Sequence, residues 1–254
     1  MNISPGNYAE KGCKFKMKGI LTAFFFLVCY FPFSLASDII FADSLPVNQL
    51  ITDQDTLQKN QLLYNGVIWK NEYHRMKGDQ FLFSDMFIPA SVTVNGKTFR
   101  NVRVKYDVFS DELLTPINRD EIIKLNKEMV DSFCLYFDNK AYRFINMRED
   151  SIKELKGYIN ILYSGNMSFF ARYRKNLSTS ATMEYDGEFF PVNSMFLYLN
   201  GNLFRFRNLR DFCKIAGLEK KRARSFLSAK RLKVSGNSPD SFIPLIKFSD
   251  TKEK

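Results

Sequence analysis

Short turn signals set between runs of alternating side chains recur along this sequence, and they restrict its fold more than any other feature. In SVTVNGKTFRNVRVKYDVF, Val92 and Val94 point one way, Asn95-Gly96 offers the positive φ angles of a type I′ turn, and Val102, Val104, Tyr106 and Val108 resume the alternation. VDSFCLYFDNKAYRF repeats the device around Asp138-Asn139, with Phe133, Leu135 and Phe137 on one face and Tyr142 and Phe144 returning. Three more signals follow, at Ser164-Gly165-Asn166, Asp186-Gly187 and Asn200-Gly201. Five hairpin signals leave little room for parallel βαβ units. FCLYF and MFLYL are bulky on both faces, which a flat sheet wetted on one side would not tolerate. The prediction is a mainly β (α+β) chain: a curled antiparallel β-meander over 61–206, as an open barrel or sandwich, with a small C-terminal helical appendage.

The pattern changes at Arg207. Asn208 suits a helix N-cap with Asp211 three residues on, Phe212, Ile215 and Ala216 form a short apolar face, and Gly217 ends it. LEKKRARSFLSAKRL predicts a second helix with Leu218, Arg222, Phe226 and Leu227 to one side, and Pro239 opens a third helical segment. The appendage is expected over 207–249, with 250–254 as a disordered tail.

Residues 17–37, MKGILTAFFFLVCYFPFSLAS, are apolar from Ile20 to Phe31. That is short of the roughly 20 residues a spanning helix needs and matches a secretory h-region. Lys11, Lys14, Lys16 and Lys18 precede it and Ser34-Leu35-Ala36 follows, so 1–36 is read as a signal peptide cleaved after Ala36 and 37–60 as a polar lead-in. The expectation is an exported protein, periplasmic, outer-membrane-associated or extracellular, with no transmembrane span after cleavage. Cys134 and Cys213 would be the cysteines left. They either pair in an oxidising compartment or stand as separate apolar positions.

The whole chain carries +10, but residues 205–233 set eleven Lys and Arg against Asp211 and Glu219. Within that run, Lys220, Lys221, Arg222, Arg224, Lys230 and Arg231 are candidates for an anionic surface, either lipid or acidic polysaccharide. A short helix, a turn and a basic helix also outline a helix-turn-helix, although an exported protein does not meet DNA.

Catalytic signatures are few. His74 is the only histidine, which excludes His-rich zinc sites, and there is no G-x-S-x-G, P-loop or H-E-x-x-H. No cofactor and no metal site are expected. Asp107, Asp111 and Glu112 in KYDVFSDELL could supply a carboxylate pair for hydrolysis; their spacing equally suits a strand end followed by a solvated turn.

Tyr64-Asn65-Gly66, then Gly78 with Phe81 and Phe83, Ser91-Val92 with Asn95-Gly96, and Lys105-Tyr106-Asp107 before Asp111-Glu112-Leu113 run in a recognisable order. With Lys127-Glu128, Val130 and Phe133 they resemble a family of secreted or cell-envelope proteins of Bacteroidetes-type bacteria; Ala90 stands where that pattern carries glycine. The resemblance implies export and a β-rich body, and it transfers no catalytic residue. The expected function is a non-enzymatic envelope component, binding or structural, holding an apolar or glycan ligand in the curl of its sheet. The alternatives are a carboxylate-dependent hydrolase and a binder of nucleic acid or anionic surfaces through 218–233.

Overall fold

A computed structural model describes residues 61–148, 155–179 and 182–251. The expected leader, the lead-in over 37–60 and residues 252–254 lie outside them. The first eight strands are β1 (Gly66–Ile68), β2 (Met76–Lys77), β3 (Ile88–Val94), β4 (Lys97–Asp107), β5 (Glu112–Pro116), β6 (Ile122–Leu125), β7 (Val130–Phe137) and β8 (Lys140–Met147). The remaining six are β9 (Gly157–Ser164), β10 (Ser168–Arg172), β11 (Lys175–Ser178), β12 (Gly187–Pro191), β13 (Ser194–Leu199) and β14 (Asn202–Phe206). Eleven of them form one antiparallel sheet in the order β1-β6-β5-β4-β3-β7-β8-β9-β10-β13-β14, an open sheet.

That order is two meanders, β3 to β6 and β7 to β10, joined where β3 pairs β7. The turns form for the local reason the sequence suggests: Asn95-Gly96, Asp138-Asn139 and Asn200-Gly201 all have positive φ at both positions. Curl follows from connectivity. In a flat sheet β6 and β7 would lie four strand spacings apart, about 19 Å, yet Leu125 and Val130 are joined by residues 126–129 alone. Five residue steps reach at most roughly 17 Å. The sheet therefore coils until the end of β6 meets the start of β7. β4 is the corner strand, pairing β3 up to Val104 and β5 from Lys105, and register breaks between Ala90 and Val92 and between Thr93 and Val94 add twist.

The curl is filled rather than hollow. Tyr106, Phe133, Phe144 and Tyr158 pack ring on ring at its centre, with centroids 4.7–5.6 Å apart. Val92, Val104, Leu113 and Leu135 surround them at full burial. A ligand inside the curl, as the sequence suggested, has no room there.

Asp186-Gly187 is a correction. Gly187 opens β12, which pairs β11 antiparallel and β2 parallel in a separate three-stranded sheet. A Cβ at this glycine would collide with the Ser178 carbonyl oxygen and sit 3.2 Å from Met76 Sδ. The residue is small because two neighbours approach it, and not because the chain reverses there.

Three helices complete the chain: α1 (Leu209–Ile215), α2 (Lys220–Ala229) and α3 (Ile243–Asp250), the last preceded by a 3₁₀ turn at Pro239–Phe242. Asn208 caps α1 by accepting the Asp211 N–H. Phe212, Phe242, Leu245 and Ile246 share a second core with Phe169, Leu197 and Phe206 of the sheet, so the helices are packed onto β10, β13 and β14. The disordered tail expected from residue 250 begins too early. Asp250 is in helix and buried, because its carboxylate accepts hydrogen bonds from the Tyr163 hydroxyl (2.7 Å) and from the Asn166 (3.1 Å) and Met167 (3.0 Å) N–H groups. Cys134 on β7 and Cys213 in α1 are both free thiols: Cys213 is buried in the second core, and Cys134 is half-buried on β7 between Ser91 and Arg143 of the neighbouring strands. Among the described residues no helix is long and apolar enough to cross a membrane.

Candidate functional site

The three carboxylates named from the sequence go to three different surroundings. Asp107 is buried, and its Oδ1 accepts the N–H groups of Phe109 (2.9 Å) and Ser110 (3.0 Å), which is how an aspartate closes a tight turn on its own backbone. Burial raises its pKa above the ordinary carboxylate value, against those hydrogen bonds, which act to lower it. Glu112 pairs with Lys124 at 3.1 Å. Asp111 takes positive φ at the turn, and its Oδ1 accepts the Tyr106 hydroxyl at 2.6 Å while Oδ2 faces Lys127 Nζ at 2.5 Å. The turn expected at 110–112 exposes Ser110, but the Asp111 side chain is only 15% exposed and turns inward. Of the three, Asp111 alone lines the cleft described next.

That cleft has a volume of about 520 Å³ and is built from five segments: the Asp111 turn, the connection after β6, the end of β8, the start of β9 and the end of β10. The curl brings them together. Phe109 is wedged between Tyr73 and Phe189, with centroids at 5.2 and 5.4 Å, which fixes the turn from behind. Asn146 donates from Nδ2 to the Lys127 (2.8 Å) and Val130 (2.9 Å) carbonyls, which fixes the loop between β6 and β7. The lining holds five cations, Lys127, Arg148, Lys156, Arg172 and Arg174, against Asp111 and Glu128.

Most of these charges have protein partners. Lys127 is on Asp111, Arg148 Nη2 donates to Asp131 at 2.8 Å, and Lys156 also has an interaction within the protein. Arg172 differs. It is 8% exposed, and its buried Nε and Nη2 donors have no hydrogen-bond partner among the described residues. Burial, then the Arg174 charge, pulls its pKa below the ordinary guanidinium value, while Asp111 pulls the other way. A buried cation missing two bonds is expensive, since each unmade buried donor costs about 1–3 kcal/mol. Gly157 makes the approach feasible. At φ +100° it has the backbone that L side chains avoid, and a Cβ there would collide with Asp111 Oδ2 and lie 3.4 Å from Arg172 Nη2.

Arg174 is exposed and also lines a second recess of about 230 Å³, so the two hollows adjoin at this residue. This recess lies between Tyr142, Tyr173 and the polar groups of Asn193, Asn237 and Asp240.

Other candidates lie elsewhere. His74 is exposed and lines neither hollow. Lys220, Lys221, Arg222, Arg224, Lys230 and Arg231 are exposed on or just after α2, none of them in an ion pair among the described residues, with Arg222 6.0 Å from the Phe248 ring centroid. The cleft arginines were missed in the sequence because they stand apart from this dense run. The available signal was ARYR, one arginine ending and one just after a strand whose apolar residues face both ways.

No protein-family model, no curated protein and no solved structure matches the chain, so the envelope-protein resemblance rests on the residues quoted for it alone.

Proposed function

We propose that this chain is an exported binding protein of the cell envelope, not an enzyme, and that it receives an anionic group of its ligand in the cleft at the Asp111 turn. The observation that carries the reading is Arg172, a buried residue whose Nε and Nη2 donors have no acceptor among the described residues. A carboxylate or phosphate oxygen matches that donor pair in shape and charge. Catalysis by paired carboxylates has less support, because Asp107 and Glu112 do not line the cleft that Asp111 lines. Export rests on the leader pattern at 1–36.

Calorimetric titration of inorganic phosphate and of glucuronate into the wild type and into Arg172→Met tests the site. The expected result is saturable binding that weakens with salt and is absent from the variant. Equal heats from the two proteins would sink the proposal. Intact-mass measurement on exported protein tests the location, with Ser37 expected as the first residue.

A second reading is favoured by the six exposed cations around α2, none of them in an ion pair among the described residues. They would hold the protein against an anionic lipid surface while the cleft faces its ligand.

A further inference from the structure

We infer that the ligand of the cleft is an acidic saccharide, with its anionic group at Arg172 and Arg174 and a neighbouring sugar ring in the recess beside Tyr142 and Tyr173. The inference rests on the binding reading above and adds the chemical class. Its basis is the polarity of the two hollows that share Arg174. On one side cations outnumber carboxylates by five to two. On the other, the lining sets Arg174 and Lys175 beside the Asp240 carboxylate, and Lys175 Nζ is taken up by Asp79 at 3.0 Å, so the recess is closer to charge balance and suits a neutral group.

The recess offers what a sugar ring requires: an aromatic surface for its C–H face and acceptors for its hydroxyls. Tyr142 packs one side on Phe83 (centroids 4.5 Å) and Phe83 stacks on Phe137 (4.8 Å), so the tyrosine is a braced platform. Tyr173 is 8% exposed and braced by Phe144 at 6.1 Å. Asn193 donates from Nδ2 to the Asn237 carbonyl at 3.0 Å, which orients its amide, and among the described residues no donor is placed on its side-chain oxygen. Asp240 is only loosely held, with Lys140 Nζ 3.6 Å from its Oδ2, and is placed to accept from a hydroxyl. A flat nucleobase would use the tyrosines but not this set of acceptors, which calls for several hydroxyl donors.

The test is a titration of the full chain with four probes: inorganic phosphate, glucuronate, a galacturonate trisaccharide and AMP. Stacking on Tyr142 is worth enough to give the trisaccharide about a three- to tenfold advantage over glucuronate. Tyr142→Ala should remove that advantage and leave phosphate affinity unchanged, and Tyr142→Phe, which keeps the ring, should retain it. Arg172→Met should abolish binding of all the acidic probes. A trisaccharide no tighter than glucuronate overturns the saccharide assignment and leaves the anion site standing. AMP binding tighter than the trisaccharide also overturns it, in favour of a nucleotide. If no probe binds the wild type, the binding reading itself fails and this inference with it.

Discussion

Arg172→Met should make the ligand-free protein more stable. Arg172 is 8% exposed, and its Nε and Nη2 are without acceptors among the described residues. Each such donor costs about 1–3 kcal/mol. Asp111 offsets part of this, since its charge favours the cation and its Oδ2 lies over the same glycine as Nη2. Methionine keeps an unbranched apolar stem in the same space and introduces no donor. Replacing a buried, poorly compensated charge by an apolar residue is often neutral or stabilising by up to about 4 kcal/mol, and with Asp111 left behind the net here should be about 1–2 kcal/mol. For a domain of this size that is about 2–8 °C in Tm. Urea unfolding with unchanged slope, together with thermal melts, reads it directly. Adding phosphate or an acidic saccharide should reverse the order, because a ligand at a hundred times its Kd adds about 2.7 kcal/mol to the wild type alone. A variant less stable than wild type by more than about 1 kcal/mol would mean that the guanidinium has a structural partner, and the argument for an anion site would lose its foundation.

Gly157→Ala should cost about 1–3 kcal/mol and abolish anion binding, since φ +100° and the Asp111 carboxylate both oppose a Cβ; chemical denaturation and the phosphate titration check the two halves. Asp107→Asn should leave stability at pH 7 at or above wild type, because the amide oxygen still accepts from Phe109 and Ser110 while the buried charge is gone, and loss of binding would contradict its structural role. Tyr106, Tyr158 and Tyr173 all have pKa values raised first of all by burial. Their stabilising contribution is complete below the ordinary tyrosine value of 10.0 and is lost as pH rises beyond it, at about 1.4 kcal/mol per pH unit for each phenol that ionises only on unfolding; a phenolate signal near pH 10 in still-folded protein that Tyr158→Phe or Tyr173→Phe removes would refute this. Reversing Lys220, Lys221 and Arg224 to Glu should weaken attachment to anionic vesicles by about 1 kcal/mol per charge in co-sedimentation, with phosphate binding in the cleft unchanged.

The hairpins were legible because each is settled by a few adjacent residues. Asn95-Gly96, Asp138-Asn139 and Asn200-Gly201 carry their φ requirement in their own identities. Asp186-Gly187 misled for the converse reason: this glycine is demanded by Ser178 on the preceding strand and by Met76, more than a hundred residues earlier, and a dipeptide cannot reveal which constraint it answers. Asn208 and the Phe212 face were visible for the same local reason as the turns. The end of α3 was not, because what orders Asp250 is a hairpin more than eighty residues earlier.

The cleft belongs wholly to the second class. Asp111 stood out in the sequence only as one of three clustered carboxylates, a grouping that the structure dissolves by sending Asp107 to its own turn, Glu112 to Lys124 and Asp111 to Tyr106 and Lys127. Arg172 had no visible partner because its neighbours come from the turn after β4, the loop after β6 and the start of β9, which meet only when residues 126–129 force the sheet to coil. Charge density along the chain pointed instead to α2, where the cations are many and exposed. Burial reverses that ranking: a solvated lysine costs the fold little, whereas a covered arginine with two idle donors must be compensated by something outside the protein's own chemistry or be lost without harm. Stability of Arg172→Met measured with and without an acidic ligand separates those two cases, and the sign of the difference between the two conditions carries the assignment.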